Sequence, residues 1–324
     1  MPTVVLADRF RLWGDSIEQE VCRQHGVEFR IENCRTDDEI IERCGNADGI
    51  ITAYADLNRH VIENLKETKV LVRYGIGYDN IDVQAATDCG IFVCNIPDYC
   101  IPEVASHAMA FILALYRKVM VYDRSIRAGT WSTHTGYPIH RLSTQTLGIL
   151  GFGNIGQEVA KYAQVMGFKV IAHDPFLPDQ VFESSQVKRV DSDTLFAESD
   201  IITIHVPLFK ETRHLINAQA FAKMKDGVMI VNTARGGLID TADLISAMKS
   251  GKVLAAGLDV LEEEPLTDPT AEILQLENLV LTPHAGANTV EAYGELQRRV
   301  ADTACRVVKG EMVYNIVNKQ LLNG

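Results

Sequence analysis

Short β-branched runs alternate with helical patterns along this chain. Apolar residues cluster at 3–7, 27–31 and 48–52, and the stretches between them, near 15–24, 37–44 and 59–66, carry apolar positions at helical spacing. Val70-Leu71-Val72 and Ile91-Phe92-Val93 continue the series. Strands separated by crossover helices pair in parallel, so the first hundred residues predict one α/β unit. A second unit begins around 146 and places strands near 168–173, 200–205, 227–232, 254–259 and 279–282. No low-complexity linker separates the two.

Two further segments organise the chain. From Pro102 to Tyr116 nearly every side is apolar, through Val104, Ala105, Met109, Phe111, Ile112, Leu113 and Leu115, which predicts a helix buried between domains or subunits. Past His284, Val290, Tyr293, Leu296, Val300, Ala304 and Val307 recur at helical spacing up to Gly310. That helix is placed to return the C-terminus to the first unit, leaving the second unit as an insertion.

Composition narrows the function classes. Hydrophobic residues make up 47% of 324, yet no apolar run approaches the roughly 18 residues of a membrane span. Met1 to Asp8 runs directly into a strand, without the basic region and cleavage site of a secretory signal, so a cytoplasmic protein with no membrane partner is expected. A formal net charge of −12 repels nucleic acid, which is not expected as a partner. The seven cysteines (Cys22, Cys34, Cys44, Cys89, Cys94, Cys100, Cys305) are odd in number and form no C-x-x-C pair, as free thiols in a reducing compartment would be. No metal site is expected among them.

Candidate chemistry begins at Leu147-Gly148-Ile149-Leu150-Gly151-Phe152-Gly153-Asn154-Ile155-Gly156. An apolar strand runs into three glycines at G-x-G-x-x-G spacing, a helix follows over 157–166, and a second strand ends on Asp174. Gly151 permits the tight turn, Gly153 lets a pyrophosphate approach the backbone, and Gly156 allows close helix packing at an N-terminus rich in unpaired N–H groups. Asp174 stands where a carboxylate accepts from the adenosine ribose hydroxyls. The glycines alone would be ordinary turn signals; strand, glycines, helix, strand and acid in order predict a dinucleotide site. No arginine follows in 175–178 to receive a 2′-phosphate, so NADH should be preferred over NADPH.

Three islands leave predicted strand ends: Asn232-Thr233-Ala234-Arg235-Gly236-Gly237, Asp259 to Pro265, and Thr282-Pro283-His284. Singly, each has a structural reading: an arginine capping a helix, a solvated acidic turn, a histidine at a strand end. Together they supply what hydride transfer to a 2-oxo acid requires. A guanidinium grips a carboxylate in a bidentate fork, an imidazole titrates near neutral pH, and a carboxylate beside it favours the protonated ring. Ligands gather at the carboxyl ends of strands in open α/β sheets, which is where all three lie.

With these motifs in place, the sequence resembles the D-isomer-specific 2-hydroxyacid dehydrogenase family. The resemblance covers about 70 to 310 and rests on Arg73 to Asp82, the glycine fingerprint, His205-Val206-Pro207-Leu208, Asn232 to Gly237, Asp259 to Pro265 and Pro283-His284. It implies an α/β fold of two doubly wound parallel-sheet domains, a Rossmann cofactor domain over 101–286 inserted into a flavodoxin-like substrate domain of 1–100 and 287–324. It implies NAD as cofactor, a small-molecule 2-oxo or 2-hydroxy acid as substrate, and a homodimer. By the same resemblance Arg235 holds the substrate, His284 is the acid/base and Glu264 supports it. Gly75, Ile76 and Gly77 bind the substrate carboxylate through backbone N–H groups. Asn154 and Ile155 touch the pyrophosphate, Asp174 the ribose, and Val206, Thr233, Ala234 and Asp259 complete the cofactor cleft.

Departures from the family pattern are few. Ser106 replaces an acid in the apolar helix and Thr144 a glycine, neither at the presumed chemistry. The loop Thr52 to Asp56 lacks a basic residue for a phosphorylated substrate, and Asp56 and Asp98 are expected to repel a phosphate, while Tyr54 and Tyr99 offer aromatic surface. The rival reading is a non-enzymatic NAD-sensing protein like the C-terminal-binding-protein corepressors, whose branch has tryptophan where Ala287 stands.

Overall fold

Strands buried on both faces, such as Gly49 to Thr52 and Val228 to Asn232, need cover on two sides, and both sheets of this protein are entirely parallel. The computed structural model describes residues 1–8, 14 and 16–323, and the chain divides into two units, Met1–Tyr99 with Thr289–Gly324 and Cys100–Asn288.

The first unit runs β1 (Thr3–Leu6), α1 (Ser16–His25), β2 (Glu28–Ile31), α2 (Asp37–Cys44), β3 (Gly49–Thr52), α3 (Arg59–Glu63), β4 (Val70–Arg73), α4 (Val83–Asp88) and β5 (Phe92–Cys94). Its five strands lie in the order β2-β1-β3-β4-β5, that of flavodoxin-like sheets. Alternate residues of the strands feed two cores. Val4, Leu6, Ile51 and Val72 pack with the C-terminal helix Val290–Val308, whereas Val5, Ile50, Leu71 and Val93 pack on the other face with Ile40, Val61 and Ala85. Thr36, Asn58 and Asp82 cap α2, α3 and α4, each accepting from the backbone N–H three residues on.

The second unit opens with α5 (Ile101–Tyr116) and α6 (Val119–Arg127). It continues with β6 (Thr146–Leu150), α7 (Asn154–Val165), β7 (Lys169–His173), α8 (Asp179–Ser184), β8 (Lys188–Arg189) and α9 (Ser192–Glu198). β9 (Ile201–Ile204), α10 (Ala218–Lys223), β10 (Val228–Asn232), α11 (Thr241–Lys249), β11 (Val253–Leu258) and β12 (Leu279–Leu281) complete it. The strand order is β12-β11-β10-β9-β6-β7-β8, so the winding reverses between β6 and β9, where such sheets open a crevice.

One element departs from the sequence reading. The apolar helix expected between domains or subunits is α5, and it lies in the core of the second unit against α7, β10 and β11. Its all-round apolarity is therefore largely satisfied within its own unit. α6 has no buried residue, and its Val119, Met120 and Ile126 are exposed, as is Trp131 beyond it. Among the described residues no single helix is long and apolar enough to cross a membrane.

Candidate active site

The glycine loop sits at the switch point. Gly151 leaves β6 at φ +91°, and a Cβ there would lie 2.7 Å from the carbonyl carbon of His205 just past β9. Only glycine satisfies both the turn and the approach. A Cβ on Gly156 would lie 2.4 Å from the Gly151 oxygen, which is the close packing expected of the third glycine. α7 begins at Asn154, three residues earlier than the sequence suggests, so Asn154, Ile155 and Gly156 form its first turn. No side chain caps this helix, and the space at Gly153 is open. Asp174 follows β7; its carboxylate accepts from the backbone N–H groups of Phe152 and Phe176, each at 3.0 Å, tying the end of β7 to the glycine loop.

Strand register places the three islands side by side. Asn232, Leu258 and Leu281 are cross-strand partners on β10, β11 and β12. Arg235 and His284 each stand three residues past that row, and the segment 259–264 leaves the strand between them. The Asn232 side chain folds the first turn, donating to the Arg235 oxygen at 2.8 Å and accepting from Ala234 N–H at 3.0 Å. The half-buried Arg235 donates from Nη1 to the Ala234 oxygen at 2.8 Å.

His284 and Glu264 meet directly. Nδ1 of His284 is 2.7 Å from Oε2 of Glu264, and Oε1 accepts from Leu261 N–H at 2.8 Å. His284 adopts φ +54°, a left-handed conformation that a non-glycine residue keeps only when its surroundings demand it. Asp259 makes that demand: its backbone oxygen accepts from His284 N–H at 2.7 Å and its buried carboxylate from Ala285 and Gly286 N–H at 2.7 and 2.9 Å. Burial alone would raise the Asp259 pKa. The hydrogen bonds from His107, Thr282, Ala285 and Gly286 outweigh it and hold the carboxyl below its ordinary value. His205, beside the glycine loop, is pushed down to about 4 by burial.

In the first unit, Gly75, Ile76 and Gly77 follow β4. Ile96 N–H donates to the Gly75 oxygen at 2.9 Å and the Asn95 side chain to the Ile76 oxygen at 2.7 Å, which fixes the loop. The 52–55 loop is held by a residue with no sequence signal, Asp8, whose buried carboxylate accepts from the N–H groups of Ala53, Tyr54 and Ala55. Asp98 differs from expectation. It is ion-paired with Arg299, so its charge is balanced locally and offers little repulsion to a phosphate. Tyr54 is exposed, whereas Tyr99 packs against the first-unit core.

Residues 109–286 match the family model described as D-isomer specific 2-hydroxyacid dehydrogenase, NAD binding domain. The chain belongs to this family. Hydroxypyruvate reductase of Thermotoga maritima is 48% identical over 265 residues, 81% of this chain and 84% of that one. D-3-phosphoglycerate dehydrogenase of Archaeoglobus fulgidus is 41% identical over 297 residues, 91% of this chain, but the chain spans only 56% of that enzyme's length. A solved glyoxylate reductase from Paecilomyes thermophila, 34% identical, superposes with a TM-score of 0.88 over 98% of this chain and 99% of its own.

The second unit suits the NAD of its family. A pocket of about 520 Å³ is lined by Gly151, Asp174, Phe176, Val206, Pro207 and Phe209. The Thr233 hydroxyl is buried without a hydrogen-bond partner in the protein, leaving it for a ligand. One cation beside Asp174 was not legible in the sequence: Arg189 of β8 donates to the Asp174 backbone oxygen at 3.0 Å, pairs with Asp179 at 2.6 Å and lies over Phe182. Among the described residues no cluster of His, Cys, Asp and Glu is placed to hold a metal ion.

Proposed function

We propose that this protein is an NAD-dependent D-2-hydroxyacid dehydrogenase working mainly as a reductase of small, unphosphorylated 2-oxo acids such as glyoxylate, hydroxypyruvate or pyruvate. The observation that carries the proposal is the 2.7 Å pairing of His284 with Glu264. NADH, when bound, supplies the hydride to C2. His284 gives its proton to the oxygen on C2, and Glu264 holds the ring in place for that transfer. Arg235 grips the carboxylate and polarises the carbonyl, and the N–H groups of Gly75, Ile76 and Gly77 also bind the carboxylate. Asn154 and Ile155 meet the pyrophosphate and Asp174 the ribose, while Val206, Thr233, Ala234 and Asp259 border the cofactor. The product is the D-2-hydroxy acid.

Phosphohydroxypyruvate is disfavoured because the 52–56 loop carries Asp56 and no cation. Burial, then the neighbouring Asp37 and Asp82, raise the Asp56 pKa, which marks an acidic environment. The three relatives described are enzymes, which supports turnover over a purely NAD-sensing role. Homodimerisation is proposed through the exposed apolar surface of α6 with Trp131.

A panel of 2-oxo acids with NADH tests the reading. Glyoxylate, hydroxypyruvate or pyruvate should give the highest kcat/KM. A higher value for phosphohydroxypyruvate would overturn the substrate class alone, and NADH binding without turnover of any acid would favour the sensing role. Light scattering should give twice 35.9 kDa; the monomer mass at micromolar concentration would refute the dimer.

A further inference from the structure

We propose that His107 is a positioning residue for His284, acting from the α5 helix through Thr282 and Asp259; this rests on the reading of His284 as the acid. His107 Nε2 lies 3.0 Å from Thr282 Oγ1 and 3.4 Å from Asp259 Oδ1. The Thr282 hydroxyl in turn donates to Asp259 Oδ1 at 2.5 Å. A hydroxyl has one proton, and Thr282 spends it on Asp259. Its contact with His107 therefore requires the imidazole to donate from Nε2–H.

Asp259 then grips the turn that carries His284. Its carboxylate binds Thr282, Ala285 and Gly286, and its backbone oxygen binds His284, so every residue from 282 to 286 is held except Pro283, which has no N–H. This is the constraint that keeps His284 at φ +54° with its ring against Glu264. His107 links the turn to a 16-residue helix packed in the unit's core, and its ring is braced edge-on against Phe111 at 5.0 Å. Orientation of a proton donor is sensitive to displacements of about 1 Å, so a brace two contacts away from the imidazole matters to the rate.

Two measurements test the role. Nitrogen NMR of the wild-type protein should show the neutral His107 ring protonated at Nε2; a ring protonated only at Nδ1 would overturn the network whatever the variants do. In steady-state reduction, His107→Leu and Thr282→Val should each lower kcat about tenfold with the Kd for NADH unchanged. The double variant should fall no further than the lower single one, because both break one chain of contacts. His107→Gln, whose amide can donate in place of Nε2–H, should recover most of the loss. Multiplying losses in the double variant, no recovery with glutamine, or wild-type kcat in His107→Leu would each sink the proposal. His284→Ala, assayed in parallel, separates the two levels: wild-type turnover there removes the acid assignment itself, whereas a large loss beside an unaffected His107→Leu removes only the positioning role.

Discussion

Glu264 holds His284 by one ring nitrogen and leaves the other for the proposed proton transfer. With Oε2 2.7 Å from Nδ1, the carboxylate keeps a proton on that side and aims Nε2 away. Its second oxygen is anchored on Leu261 N–H, so the pair is oriented by the loop leaving β11. The division of labour resembles that of other histidine–carboxylate pairs, in which the acid orients the ring and stabilises the imidazolium.

His284→Ala should lower kcat by ~10²–10⁴, the usual worth of a positioned general acid. Glu264→Ala should lower kcat about tenfold or more while the Kd for NADH stays unchanged, because the ring of His284 loses the carboxylate that orients it. Wild-type kcat in Glu264→Ala would exclude the carboxylate from this role.

Cofactor choice should follow Asp174. Asp174 lines the pocket and, meeting the ribose as proposed, would repel a 2′-phosphate, so NADH should give the higher kcat/KM. Asp174→Ala should narrow the gap. If Asp174 meets the ribose as proposed, the Arg189 guanidinium, which donates to the Asp174 backbone oxygen and pairs with Asp179 at 2.6 Å, would stand within reach of a 2′-phosphate. Adding Arg189→Ala to Asp174→Ala should therefore weaken NADPH use more than NADH use. Equal losses with both cofactors would show that Arg189 serves only the fold.

The site was legible to the extent that its signals are local. The glycine spacing, the acid at the end of β7 and the three strand-end islands are each contained in a few residues, and the parallel register carries the islands to one edge of the sheet. What escaped the sequence depends on pairings across long separations. Asp8 reaches the 53–55 loop, Arg299 neutralises Asp98 from 201 positions away, and His107 meets Thr282 across 175. No periodicity records such contacts. β8, with only two residues, is too short to read from a pattern, and Arg189 was hidden with it.

His205 should make stability depend on pH. Its folded-state pKa is pushed down to about 4 by burial, whereas an unfolded histidine titrates near ~6.5. Between those values the unfolded chain binds a proton that the folded protein refuses. The stabilising contribution is thus fully present above about pH 6.5 and lost as pH falls from there through about 4. Urea midpoints collected from pH 8 to pH 4 should decline over this window, and His205→Gln should flatten that part of the curve. A variant whose midpoints track the wild type throughout would assign the acid sensitivity elsewhere.

Gly236 offers a test of how tightly Arg235, the proposed substrate anchor, is coupled to the His284–Glu264 pair. A Cβ built on it would lie 1.9 Å from the carbonyl carbon and oxygen of Leu261 and 2.4 Å from Glu262 N, so a single methyl cannot enter without parting the two loops. The 261–264 segment has little freedom to yield. His214 Nε2 holds Glu262 at 2.6 Å, the Thr241 N–H donates to the same carboxylate at 2.8 Å, and Glu264 is committed to Leu261 and His284. Gly236→Ala should therefore cost about 1–3 kcal/mol in stability, as overpacking does. It should also lower kcat more than it weakens NADH binding, because the displaced groups are Arg235 on one side and Glu264 on the other. Thermal unfolding and single-turnover reduction measured on the same preparation would separate the two effects, and a variant with wild-type Tm and wild-type kcat would show that the loops part freely.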